Sequence, residues 1–125
     1  MKVVLSATSP SLDATVDPRF GRGAYLLVVD TTSLEFEAHP NPGVSATGGA
    51  GIQAAQFVAS QKAEAAVSGD FGPNAFDALK EAGVSMYTYG DCQTVQEAIQ
   101  KLKAGQLDPV GSPKRGGGAR GRRGA

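Results

Sequence analysis

Ser68-Gly69-Asp70-Phe71-Gly72-Pro73-Asn74-Ala75-Phe76 carries a short apolar run through two glycines and into a helix. Ala65-Ala66-Val67 before it reads as a buried strand. Pro73 suits the first helical position, where a missing N–H costs nothing. Gly69 and Gly72 allow close backbone approach because no Cβ stands in the way. A second turn of the same kind lies upstream, where Gly48-Gly49-Ala50-Gly51 runs into Ile52-Gln53-Ala54-Ala55-Gln56-Phe57-Val58. Helix N-termini carry N–H groups with no intrahelical partner at a positive dipole end, so two such openings suit an anion.

Working outward, Val3 to Ala7 is a β-rich run and Tyr25 to Asp30 a strong strand. Leu34 to Ala38 alternates apolar and acidic residues, the period of a half-exposed edge strand, and His39-Pro40-Asn41-Pro42-Gly43 is expected to end it. Ile52, Ala55, Val58 and Ala59 mark an amphipathic helix ending near Lys62. Ala75, Phe76, Leu79 and Ala82 mark a second helix, with Gly83 as its C-terminal stop. Val84 to Tyr89 is a strand, in which Met86 and Tyr87 are packing residues. Thr94 and Glu97 form a capping box that opens a third helix, closed by Gly105. The order is β-β-β-α-β-α-β-α, which implies one mixed sheet covered by three helices.

A chain of 125 residues with 41% hydrophobic content supports one domain. No apolar run approaches membrane-spanning length, and Lys2-Val3-Val4-Leu5 does not read as a secretory leader, so a cytoplasmic protein that does not engage membranes is expected. Cys92 is the single cysteine, which excludes an internal disulfide and a cage built of cysteines alone. The zero net charge conceals a division. Residues 1–112 carry seven basic side chains against all twelve acidic ones. Residues 113–125 carry Lys114, Arg115, Arg120, Arg122 and Arg123 with no acid, spaced by glycines. The expectation is therefore a binding domain over 1–112 and a disordered basic tail over 113–125.

Four segments now stand in order: Asp17-Pro18-Arg19-Phe20-Gly21-Arg22, Gly48 to Ala55, Gly69 with Gly72-Pro73-Asn74-Ala75-Phe76, and Ala82-Gly83. In these segments the chain resembles the dinitrogenase iron–molybdenum cofactor biosynthesis family. That family includes nitrogenase cofactor carriers, the molybdenum–copper orange protein of sulfate reducers and small domains similar to iron–sulfur storage proteins. The resemblance implies a ribonuclease-H-like α/β fold, with a five-stranded mixed sheet in the order 3-2-1-4-5 and three helices. It also implies an anionic metal–sulfur cluster as ligand, with iron–sulfur, iron–molybdenum and molybdenum–copper all open, and cluster-assembly proteins as partners.

The candidate cluster-binding residues are Arg19, Phe20, Gly21 and Arg22, then Gly48, Gly49, Ala50 and Gly51, and finally Gly69, Gly72 and Asn74. Two guanidinium forks suit a sulfido or oxo anion, while Arg19 fits equally a pairing with Asp17 or Asp13 that merely pins the loop. Asp70 is an acid where an anion should sit, and fits instead a helix cap or a partner for a cation. Cys92 and His39 are the candidate metal ligands; their competing readings are a small buried residue and an exposed loop residue. Asp30, Asp70 and Asp91 lie near strand ends, but Asp30 is expected at the opposite end from Asp70, which disfavours a two-metal nuclease. The expected function is non-catalytic binding, carriage or storage of the cluster. The alternatives are a nucleic-acid-associated protein that binds phosphates through its tail, and a partner-binding scaffold without cluster.

Overall fold

The computed structural model describes residues 1–44 and 48–111. Strands β1 (Lys2–Ala7), β2 (Tyr25–Asp30) and β3 (Phe36–Pro40) form the antiparallel part of the sheet. Helix α1 (Ala50–Ser60), β4 (Ala65–Ser68), α2 (Pro73–Glu81), β5 (Ser85–Thr88) and α3 (Val95–Lys103) follow, with β4 parallel to both β1 and β5. The final strand, β6 (Asp108–Pro109), pairs antiparallel with β5. The order β3-β2-β1-β4-β5-β6 corrects the expected five-stranded sheet. Two exposed residues, one of them proline, carry no period that a strand reading could detect. The expected tail, 113–125, lies outside the described residues.

The central strands read as continuous apolar runs because both their faces are covered. Val28, Val4, Ala66 and Met86 lie in register across four strands and pack with Ala54, Val58, Ala75 and Leu79 of α1 and α2. Leu27, Leu5 and Val67 face the other way, onto Val95, Ala98 and Ile99 of α3. Each large apolar side chain removed from water on these faces contributes about 1.5–3 kcal/mol. Helices thus lie on both sides of the sheet, with α1 and α2 together on one side.

β3 also starts later than its alternation suggests. Asp30 Oδ1 accepts the N–H groups of Thr32 and Ser33 at 2.8 and 3.2 Å, and Leu34 takes a positive φ of 65°. The hairpin turn thus takes up Leu34, and the ladder continues through His39 and Pro40. Proline is tolerated there because β3 is an edge.

Candidate functional site

β1 and β4 run parallel, so the segments that follow Ala7 and Ser68 leave at the same end of the sheet. There the loop Asp17–Gly23 lies back on the end of β4. Ser6 Oγ donates to the Asp17 carbonyl at 2.6 Å and stands 2.9 Å from Ser68 Oγ, which donates to the Pro18 carbonyl at 3.3 Å. The Tyr89 hydroxyl donates to the Ser6 carbonyl at 2.5 Å. Ser6, Ser68 and Tyr89 are all buried, so these bonds form where water cannot compete for them. The Asp70 N–H completes the seam on the Pro18 carbonyl at 3.0 Å. A Cβ on Gly69 would stand 2.5 Å from Pro18 Cα, so this glycine is dictated by packing.

Three more close approaches draw the helices to the loop. A Cβ on Gly21 would lie 2.9 Å from the backbone nitrogen of Gly51, and one on Gly51 3.1 Å from Ala75 Cβ. A Cβ on Gly43 would collide with the carbonyl oxygens of Gly21 and Ala50, at 2.2 and 2.6 Å. Buried Asn41 fixes this crossing, donating through Nδ2 to the Phe20 carbonyl at 2.9 Å and accepting the Gly43 N–H at 2.9 Å.

Between these elements opens a cleft of about 350 Å³. Arg19, Phe20, Gly21 and Arg22 line it from the loop, with Asp70 beside them. Ala50 and Gly51 line it from the start of α1, and Gly72 to Ala75 from the start of α2. The first intrahelical bonds run from Gln53 N–H to Gly49 and from Phe76 N–H to Gly72, both at 2.9 Å. The N–H groups of Ala50, Gly51, Ile52, Asn74 and Ala75 precede those bonds and have no intrahelical acceptor. Neither helix has a side-chain cap, so Asp70 does not cap α2; its N-cap is Gly72.

The two arginines are anchored differently. Arg19 Nε and Nη2 each lie 3.2 Å from an Asp17 carboxylate oxygen, so the pairing with Asp17 is the one formed. Burial pushes the Asp17 carboxyl upward, but the bonds from Arg19, its positive charge and the Ala24 N–H outweigh that and hold it below its ordinary value. Arg22 Nη1 donates to the carbonyls of Gly43 and Val44 at 3.2 and 3.4 Å. It thereby fastens the Asn41–Val44 turn to the cleft wall.

The structure gathers Arg19, Phe20, Gly21, Arg22, Ala50, Gly51, Gly72 and Asn74 around one cleft. Gly69 supports the loop from beneath, and Gly48 and Gly49 precede α1 outside the lining. The candidate metal ligands stand apart from it. Cys92 is buried on the α3 side of the sheet, where burial pushes its thiol upward and favours the protonated form. His39 belongs to β3 rather than a loop, 3.1 Å from Glu37 Oε1 and with its ring centroid 5.0 Å from that of Phe57. Among the described residues, no three His, Cys, Asp or Glu side chains gather as a metal site. Asp30 pairs with Lys2 at the start of β1, the end of the sheet away from Asp70.

The model for the family described as dinitrogenase iron-molybdenum cofactor matches residues 1–105. The chain belongs to this family. Among solved structures, family likeness extends to the apo form of the orange protein from Desulfovibrio gigas. That protein is 36% identical with a TM-score of 0.85, over 91% of this chain and 96% of its own. A Thermotoga protein that belongs to the DUF35 family is 33% identical with a TM-score of 0.79, over 93% and 98% of the two chains. A third structure, 21% identical with a TM-score of 0.69 over 89% and 97%, shares the fold. No curated protein matches the chain. Among the described residues, no helix is long and apolar enough to cross a membrane.

Proposed function

We propose that the chain is a non-catalytic carrier or storage module whose cargo is an anionic metal–sulfur cluster, held in the cleft between the Asp17–Gly23 loop and the starts of α1 and α2. One observation carries the reading: two uncapped helix N-termini and two guanidinium groups line a single cleft. N–H and guanidinium donors match a sulfido or oxo periphery, and neither needs a covalent ligand from the protein. A Cβ built on Gly72 meets no atom within 4 Å, so the start of α2 is open to an occupant. Asp70 and the Asp17 carboxylate behind Arg19 offset the charge of the two arginines, so the directed N–H and guanidinium donors rather than net charge carry the attraction. The volume is in the range of small-ligand sites. Family membership and likeness to a protein solved in an apo form support a cargo of this class. Iron–sulfur, iron–molybdenum and molybdenum–copper species all satisfy the chemistry, with cluster-assembly proteins of the cytoplasm as donors and acceptors.

The test is anaerobic reconstitution of the full chain with iron and sulfide, and separately with tetrathiomolybdate with and without copper. Elemental analysis and visible absorption are then read on the desalted protein. Stoichiometric metal with a new absorption band is the expected result. Absence of both with every metal overturns the reading.

A further inference from the structure

The side chain of Arg19 is 65% exposed at the lip of the cleft, yet its guanidinium is held. An exposed arginine on a loop samples many rotamers, and fixing it on a ligand costs that freedom. Here Asp17, its side chain only 4% exposed, engages Nε through Oδ1 and Nη2 through Oδ2, both at 3.2 Å. Oδ1 also accepts the Arg19 backbone N–H at 3.0 Å. Asp17 is itself tied to buried Ser6, whose carbonyl accepts the Asp17 N–H at 3.0 Å and whose hydroxyl donates to the Asp17 carbonyl at 2.6 Å. A continuous run of bonds therefore leads from β1 through Asp17 to the guanidinium. It leaves Nη1 as the edge with no protein acceptor among the described residues.

We propose that Asp17 is a positioning residue for anion binding, holding the Arg19 fork so that Nη1 is presented to the cleft. The proposal rests on the carrier reading and adds to it a residue that does not line the cleft. Charge gives it a sharp sign. A bystander carboxylate near an anion repels it, so neutralising such a group tightens binding. A carboxylate that orients the binding arginine does the reverse, because its loss returns the fork to many rotamers. Asp17→Asn retains the size and one acceptor oxygen while losing the charged pair of oxygens that matches the guanidinium.

Tetrathiomolybdate is the probe, titrated anaerobically into the full chain and followed by absorption and calorimetry. Asp17→Asn weakens binding about tenfold, the lower end of what is lost when the residue behind a ligand-holding side chain is removed. In an Arg19→Ala background the same change produces no weakening, because the group through which Asp17 acts is gone. A second readout needs no anion: the Arg19 Nε–H resonance is ordered and slow to exchange in the wild type and loses both properties in Asp17→Asn. If Asp17→Asn unfolds the chain, Arg19→Lys replaces it, since an ammonium keeps the charge but cannot span both oxygens. That variant also weakens binding.

Binding by Asp17→Asn or Arg19→Lys as tight as the wild type or tighter, or a mobile Arg19 Nε in the wild type, overturns the proposal and leaves the carrier reading standing. A wild-type chain with an ordered Arg19 Nε that binds no thiomolybdate overturns the carrier reading for this anion. The role of Asp17 in binding falls with it, while its hold on Arg19 stands.

Discussion

The helices on the two faces of the sheet begin in opposite ways. α3 opens with its first amides partnered: Val95 and Gln96 donate to the carbonyls of Ala14 and Leu12 at 3.0 Å, the Glu97 N–H donates to Thr94 Oγ1 at 3.2 Å, and Glu97 Oε1 accepts the Gln93 N–H at 2.9 Å. α1 and α2 open on Gly49 and Gly72, which supply no side chain at all. The capped helix covers a closed face where Val95, Ala98 and Ile99 are buried against β1 and β4. The uncapped pair border the cleft. Capping is thus complete where the helix only supports the sheet, and withheld where its first amides face a cavity. On the carrier reading proposed above, the missing caps would form one half of an anion-binding surface and the arginine loop the other.

The largest effect follows from removing that second half. Charge-assisted hydrogen bonds contribute about 1.5–3 kcal/mol each, so Arg19→Ala with Arg22→Ala weakens anion binding by about a hundredfold or more. On the opposite face, Cys92→Ser leaves affinity unchanged, because the thiol packs among Tyr89, Val95 and their neighbours. Parallel titrations with tetrathiomolybdate check both variants. Unchanged affinity in the double variant removes the loop from the site, whereas a loss in Cys92→Ser breaks the division between faces.

The next effect is on stability and belongs to the cleft wall. Gly43→Ala places a Cβ against two backbone carbonyls that have no room to yield. Overpacking of this kind costs about 1–3 kcal/mol, read as a lower urea midpoint with an unchanged slope. Gly48→Ala, whose Cβ meets no atom within 4 Å, leaves the midpoint nearly where it was. Equal costs at the two sites contradict the close approach on which the cleft depends.

How much of this was legible in the sequence follows from how local each signal is. Thr94 and Glu97 sit three residues apart, so the capping box on α3 could be read directly. The buried runs in β1, β2 and β4 were equally plain, because central strands are apolar on both faces. The arginine loop and the glycine turns were legible as motifs, and the structure brings eight of the eleven candidate cluster-binding residues to one cleft. Asn41 and Gly43 were read only as the end of a strand, since their partners Phe20, Gly21 and Ala50 come from two other segments. Ser6, Ser68 and Tyr89 are ordinary strand residues until Ser6 and Ser68, 62 positions apart, meet beneath the loop. Gly69 carried a correct sense of close approach, but that Pro18 is what lies against it came only with the fold. His39 was misplaced because its proline neighbour suggested a strand end, whereas an edge strand accepts proline.

Acid sharpens the same comparison at the loop. The folded-state pKa of Asp17 is lowered, so its contribution to stability is fully present above the ordinary value of 3.8 and is lost as pH falls through the folded value. The stability gap between wild type and Asp17→Asn therefore stays constant above pH 3.8 and closes below it. Urea midpoints measured across the acid range give the result. A gap that opens on acidification contradicts the sign.

The smallest effect is the most diagnostic, because it separates stability from binding. Gly72 has φ −69° and ψ 170°, the extended geometry that a helix N-cap adopts, and a Cβ there meets no atom within 4 Å. Serine fits without strain and offers a hydroxyl to the N–H of Asn74 or Ala75, as Thr94 does for Glu97. Serine exceeds glycine at this position by only a few tenths of a kcal/mol, so Gly72→Ser makes the fold slightly more stable. Its hydroxyl then occupies an amide that the anion requires, and its bulk enters the cleft, so tetrathiomolybdate binding weakens. Thr94→Ala moves the other way, losing about 1 kcal/mol of stability with anion binding untouched. The pair of variants thus shifts stability and affinity along separate axes, read from urea midpoints and titrations on the same samples. If Gly72→Ser stabilises the chain and binds as tightly as the wild type, the open amides of α2 are not part of the site, and the arginine loop and the start of α1 remain to hold the cargo.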